Sequence, residues 1–279
     1  MKGIFRKGDP FSFMGDHMNR KAEITVMNFS GIYERQCFYQ KYEHQWINLK
    51  HLSGTSCYCD EMAGDKIREA IETLPLRGIH FLDSGNYHYV SRFWMEKIQK
   101  PYQLLVFDNH TDLQPPAFGG LLSCGGWIAD SLETLPELKR VILIGPDEEA
   151  WQHTEEKYRE RICFLSREKL QTARQNGRMG EVLNALETDF EMPVYLSVDK
   201  DVLSREELRT NWSQGDMTLE ELLDLIRELS VRWKENSTEL LGADICGECD
   251  LQESGTEEND QANQKLLSML KQCLEQDIV

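Results

Sequence analysis

The sequence predicts an α/β fold: a mainly parallel sheet covered by helices on both faces. Two observations carry this. Short apolar runs such as Val141-Ile142-Leu143-Ile144 recur along the chain and alternate with segments of helical period, the pattern of strands joined by crossover helices. Three of these runs lead directly into acidic or imidazole side chains, at the carboxyl edge where the sites of α/β sheets converge.

In chain order, residues 22–29 read as the first strand and 46–49 as a short extension, followed by a helix at 64–74. The strand at 79–83 leads to a helix at 89–98, and the strand at 104–107 to one starting near Gly126. Residues 141–145 form a strand before an acidic helix at 147–160, and 162–165 another before a helix around 179–188. The strand at 194–199 leads into a helix over 219–229, where Leu222, Leu223, Ile226 and Leu229 recur at helical spacing. A strand at 239–245, a polar loop at 253–259 and a terminal helix at about 260–275 follow. Residues 1–279 read as a single domain, with 1–20 a tail or an oligomer arm.

Composition narrows the function classes. At 279 residues and 40% hydrophobic content the chain can bury one large core. No run approaches the roughly 18 consecutive apolar residues of a membrane span. A net charge of −17 argues against nucleic acid, whose phosphates it would repel. It identifies no partner, because surface carboxylate usually serves solvation. Eight cysteines occur at 37, 57, 59, 124, 163, 246, 249 and 273 without an apolar signal segment. A reducing, cytoplasmic compartment is therefore expected, and a disulfide framework is not.

The chemistry concentrates in Asp108-Asn109-His110-Thr111-Asp112 and Asp199-Lys200-Asp201. On extended backbone, residues two apart point to the same side. Asp108, His110 and Asp112 can then face one point, and so can Asp199 and Asp201. A lone Asp-x-Asp is usually a solvated turn or a helix cap; two such clusters, each directly after a buried apolar run, weigh against that reading. Carboxylates gathered this closely repel one another unless a divalent cation, or two, lies between them. Oxygen-rich ligands with one or two imidazoles suit manganese. A third junction adds His88, after the strand ending at Asp83 and the turn Ser84-Gly85-Asn86-Tyr87.

A Gly-containing turn ending in His88, then Asp-x-His-x-Asp, then Ser197-Val198-Asp199-Lys200-Asp201, in this order, resembles the ureohydrolase superfamily of arginase, agmatinase and formiminoglutamase. The resemblance runs over about 78–250, and Gly215-Asp216-Met217-Thr218-Leu219-Glu220 is similar to the family's Gly-Gly-Leu-Thr segment. It implies an arginase-like three-layer α/β/α fold and two manganese ions (Mn2+) per chain. Asp108 and Asp199 would bridge the ions as the catalytic pair. His88 and Asp112 would complete one site, His110 and Asp201 the other. The implied reaction is cleavage of a guanidino, formimino or amide C–N bond in a small molecule, by hydroxide generated between the two ions. The family also commonly forms trimers or hexamers.

Three departures argue against arginine or agmatine as substrate. Where arginases carry a Gly-Asn-Leu-His-Gly-like segment, this chain has Ser123-Cys124-Gly125-Gly126-Trp127, without histidine. Where the family's guanidinium-binding Glu should follow the last strand, Gly247 stands, and Glu248 reaches that place only through a one-residue slip that turns it to the other face. Tyr87 precedes His88 where the family usually has Asp. The segments that should line the pocket thus make Cys124, Trp127, Cys246, Glu248 and Cys249 its expected residues. A structural zinc on Cys57-x-Cys59 and Cys246-x-x-Cys249 is the weaker reading, since Cys-x-Cys is not a zinc-ribbon spacing. Cys163 and Cys273 read as small buried hydrophobes. His80, inside an apolar strand, reads as a core residue, and His153 as exposed.

Three hypotheses follow. The first is a dinuclear-manganese hydrolase of a small-molecule C–N bond, with no nucleic-acid or membrane partner. The second is a non-catalytic relative that keeps metal and binds a ligand or partner. The third is a deacetylase-like amidohydrolase, disfavoured because that group generally uses one zinc with a reduced ligand set.

Overall fold

The computed structural model describes residues 23–115, 120–186, 191–252 and 254–276. The expectation of a tail or arm at 1–20 lies outside them. The first half of the chain forms β1 (Glu23–Asn28), β2 (Gln45–Asn48), the two-residue β3 (Tyr58–Cys59), α1 (Glu61–Ile71), β4 (Gly78–Phe81), α2 (Val90–Met95), β5 (Tyr102–Phe107), β6 (Leu122–Ser123), α3 (Trp127–Thr134) and β7 (Leu138–Ile144). The second half forms α4 (Glu148–Gln152), α5 (Glu156–Arg159), β8 (Ile162–Leu165), α6 (Arg167–Gln175), α7 (Met179–Ala185), β9 (Val194–Asp199), α8 (Leu219–Glu235), β10 (Leu240–Cys246) and α9 (Thr256–Gln276).

Among the described residues, eight strands make one sheet in the order β2-β1-β4-β10-β9-β5-β7-β8. All of its pairings are parallel, and β3 and β6 form a separate antiparallel pair. The strands are apolar on both faces because both are covered. Leu105 and Phe107 of β5 pack toward Leu222, Ile226 and Leu229 of α8 and Leu266 and Leu270 of α9. Leu104 and Val106 of the same strand join Ile67 of α1, Trp94 of α2 and Ile128 of α3. The alternation along one strand defines the three layers.

Local differences from the expected elements have identifiable causes. The acidic helix expected over 147–160 is two short helices, α4 and α5. At the break, the Arg159 guanidinium donates to the carbonyls of Trp151, Gln152 and Thr154, which satisfies the end of α4. Helix α6 is an addition: Ser166 caps it by accepting from Lys169 N at 3.3 Å, but its apolar stripe is only Leu170 and Ala173. Helix α1 starts earlier than expected because the Asp60 side chain accepts from Ala63 N at 2.8 Å. Helix α9 likewise begins at Thr256, within the stretch expected to be a polar loop.

The order places β4, β10, β9 and β5 side by side. As all four run parallel, their carboxyl ends open on one edge. His88, Cys246, Asp199 and Asp108 therefore arrive at one place.

Candidate metal centre

Each acidic loop is held by its own first carboxylate. Asp108 follows β5, and its Oδ1 accepts from His110 N at 2.6 Å; Asp199 ends β9, and its Oδ1 accepts from Asp201 N at 2.9 Å. The two loops are tied together where Asp201 Oδ1 accepts from Asn109 N at 3.0 Å. Asp112 adopts a left-handed backbone, φ +49°, which Asp tolerates better than most residues. Its Oδ2 accepts from Trp127 Nε1 at 2.6 Å.

These constraints leave two sets of ligand atoms. In the first, His88 Nδ1 lies 3.2 Å from Asp108 Oδ2, 3.2 Å from Asp112 Oδ2 and 3.6 Å from Asp199 Oδ2. In the second, His110 Nδ1 lies 2.9 Å from Asp201 Oδ2 and 3.4 Å from Asp108 Oδ1. Asp108 thus offers one oxygen to each set. His88 Nδ1 is buried among carboxylate oxygens and yet makes no hydrogen bond. Oxygen atoms crowded around a nitrogen without pairing to it are a set that could hold a common cation. Four carboxylates and two imidazoles fit a hard or borderline divalent ion such as manganese.

The orientation of His88 has a definite origin. Its Nε2 lies 2.9 Å from Ser197 Oγ, and Ser197 Oγ donates to Asp244 Oδ1 at 2.6 Å. With the Ser197 proton committed to Asp244, Nε2 must be the donor, which leaves the Nδ1 lone pair facing the carboxylates. This is the outer-shell device that fixes a metal-ligating histidine.

The charges cannot coexist on their own. Burial, then the neighbouring Asp108 charge, pushes the Asp112 carboxyl up to about 7. Burial and the adjacent carboxylates also raise Asp199 and Asp201. Burial works against the Asp108 carboxylate too, but the neighbouring His110 and His88 imidazoles hold it below the usual range. His110, despite its burial, is pushed up to about 12 by Asp108 and Asp201. Protons held this way are what a cation would displace.

A cavity of about 140 Å³ opens over both sets. Of the five residues expected to line a pocket, Cys124 does so. The other four lie elsewhere. Trp127 is fully buried behind the site as the Asp112 partner. Cys246 sits beneath the centre, its Sγ donating to Asp199 Oδ2 at 3.1 Å. Glu248 is completely buried in an ion pair with Lys200, and Cys249 belongs to the apolar core under α8 and α9. The cause is Gly247, whose φ of +91° ends the strand alternation. A Cβ there would lie 2.4 Å from Asp199 Oδ1 and 2.7 Å from Lys200 N, so glycine is required.

Cys57 and Cys59 do not join Cys246 and Cys249: Cys57 lines the cavity, and Cys59 packs in the α1–α2 core. His80 is a core residue, stacked on Trp94 at 3.5 Å. Sequence reasoning missed Tyr58, Gln114 and Trp212, which also line the cavity. Trp212 stands edge-on to His110 at 5.9 Å, and its Nε1 donates to Asn86 Oδ1 at 2.9 Å. Gln114 and Trp212 sit on irregular loops and Tyr58 on the two-residue β3, where no periodicity marks them.

The fold is the three-layer α/β/α arrangement of the arginases. Among solved structures, proclavaminate amidino hydrolase from Streptomyces clavuligerus superposes with a TM-score of 0.68 at 12% identity, over 92% of this chain and 93% of that one. The agmatine ureohydrolase of Thermoplasma volcanium gives 0.62 at 15% identity, over 98% and 96%. Trypanosoma cruzi formiminoglutamase, solved with manganese, gives 0.62 at 12%, over 96% of both. An uncharacterized protein of Thermotoga maritima is 32% identical over 249 residues, 88% of this chain and 89% of its own length. The profile of the Arginase family matches residues 61–249. The chain belongs to the arginase family, within the ureohydrolase superfamily.

Proposed function

We propose that the chain is a hydrolase that cleaves a guanidino, formimino or amide C–N bond of a small molecule other than arginine, using two manganese ions. The observation that carries this reading is Asp108, whose two oxygens face the two ligand sets separately. His88 and Asp112 would complete one ion's ligands, His110 and Asp201 the other's, with Asp199 shared. When bound, such a pair lowers the pKa of a shared water and polarises the carbon it attacks.

The chain's own residues supply the remainder. Gln114, Ser123 and Tyr58 offer hydrogen-bonding groups around the opening, and Trp212 forms an apolar wall. Neither Gly247 nor Glu248 presents a carboxylate to the cavity, so among the described residues a guanidinium has no counter-charge there beyond the candidate metal ligands. That supports a substrate other than arginine. A cavity reaching the ligands from solvent supports turnover over the alternative of a non-catalytic, ligand-binding relative. A trimer or hexamer in solution is part of the same reading. Among the described residues, no helix is long and apolar enough to cross a membrane.

Protein purified without chelator and reloaded with manganese should hold about two ions per chain by plasma mass spectrometry, as a shared-water dinuclear site requires. Asp199→Ala should lose most of that metal. Unchanged content in the variant would overturn the site assignment. A screen of guanidino, formimino and amide compounds then separates hydrolase from binding protein.

A further inference from the structure

The strand register contains a seventh donor. Cys246, the last residue of β10, pairs with Asp199, the last residue of β9. Register partners on adjacent parallel strands project to the same face about 4.8 Å apart, so the thiol rises beside the carboxylate. Its Sγ lies 3.1 Å from Asp199 Oδ2. Sγ, His88 Nδ1 and an Asp199 oxygen all fall within 4.8 Å of one another. Both Cys246 and His88 are buried, at 0% and 1% exposure, and His88 Nδ1 has no hydrogen-bond partner. The buried thiol therefore faces an unpartnered donor atom and a carboxylate oxygen.

We infer that Cys246 Sγ is a ligand of the ion held on the His88 side of the centre. This rests on the metal-centre reading and goes beyond it, because it makes the two positions chemically unequal. The His110 side offers only nitrogen and oxygen. The His88 side offers nitrogen, oxygen and sulfur, and soft thiolate favours zinc, iron or cobalt over manganese. Coordination replaces the S–H proton, which passes to the buffer. Offered a mixture of divalent ions, the protein takes a thiophilic ion on the His88 side and leaves manganese on the other. Zinc added to the manganese-loaded protein displaces one of the two ions more readily than the second.

Cobalt(II) is the probe, because a thiolate ligand gives it a charge-transfer band in the near ultraviolet that nitrogen and oxygen ligands do not. The full chain loaded with cobalt should show that band, and Cys246→Ser should bind cobalt without it. Cys124→Ser, which alters a thiol of the cavity wall, should keep it. X-ray absorption on the unmodified cobalt protein should find sulfur in the inner ligand shell, so the assignment stays testable if Cys246→Ser does not fold. Cobalt retained without the band or the sulfur, or a band that survives Cys246→Ser, overturns the Cys246 assignment and leaves the metal centre standing. Failure to retain any cobalt overturns both.

Discussion

Ser197 and Asp244 stand behind His88 in a hydrogen-bonded relay, and this gives a residue-scale prediction. Ser197→Ala leaves Nε2–H without an acceptor and Asp244 without its 2.6 Å donor. Outer-shell losses of this kind weaken metal binding by about 10–100-fold, which a manganese titration followed by calorimetry would measure. An unchanged affinity would show that the ring is positioned by packing alone, for instance by Trp127, whose ring lies 4.7 Å away. The six candidate N/O ligands were legible in the sequence from their order and from their positions at strand-to-loop junctions; parity does not account for them, since Asp112 is left-handed and Lys200–Val202 forms a 3-10 turn. Glu248 and Cys249 were not legible. The left-handed turn at Gly247 resets the alternation, and a glycine in sequence does not announce its φ. Cys246 was misplaced for a related reason: its strand ends one residue later than expected, in register with Asp199.

Helix α8 shows which element boundaries a sequence can carry. Thr218 Oγ1 accepts from Glu221 N at 3.2 Å, and Glu221 Oε2 accepts from Thr218 N at 2.8 Å. This reciprocal capping box satisfies two amide donors that the first helical turn leaves free. It lies in the same Gly-Asp-Met-Thr-Leu-Glu segment that carried part of the family resemblance. Thr218→Ala should cost about 1 kcal/mol of stability, read as a lower urea midpoint with an unchanged slope; a neutral result would mean that packing of Leu222, Ile226 and Leu229 alone fixes the helix start. The apolar period of α8 made it visible, whereas α6 has almost no apolar period and was not seen. The β3–β6 pair escaped for another reason. Two residues are too few for an alternation, and their pairing brings together positions far apart in the chain.

Across the whole molecule, the metal loops are braced from below by a polar knot in the core. Lys200, between Asp199 and Asp201, is fully buried and pairs with Glu248. It also donates to Asn259 Oδ1 at 2.6 Å. Glu248 in turn accepts from Asn263 at 2.7 Å and from Gln36 at 2.6 Å. One cluster thus joins the ends of β9 and β10, the segment after β1, and α9. Lys200→Met strands a buried carboxylate and should destabilise the chain by roughly 3–5 kcal/mol. Adding Glu248→Leu should restore much of the loss, and chemical denaturation of the single and double variants measures both. Equal stability of the two would mean that Asn263 and Gln36 carry Glu248 unaided. The knot also sets an order of events during synthesis. Lys200 leaves the ribosome well before its partner Asn259, 59 residues later in the chain. Until α9 has been translated and docked, Lys200 lacks its Asn259 partner and Glu248 its Asn263 partner. On the proposed metal-centre reading, the finished brace under Asp199 and Asp201 would then come only with the completed domain.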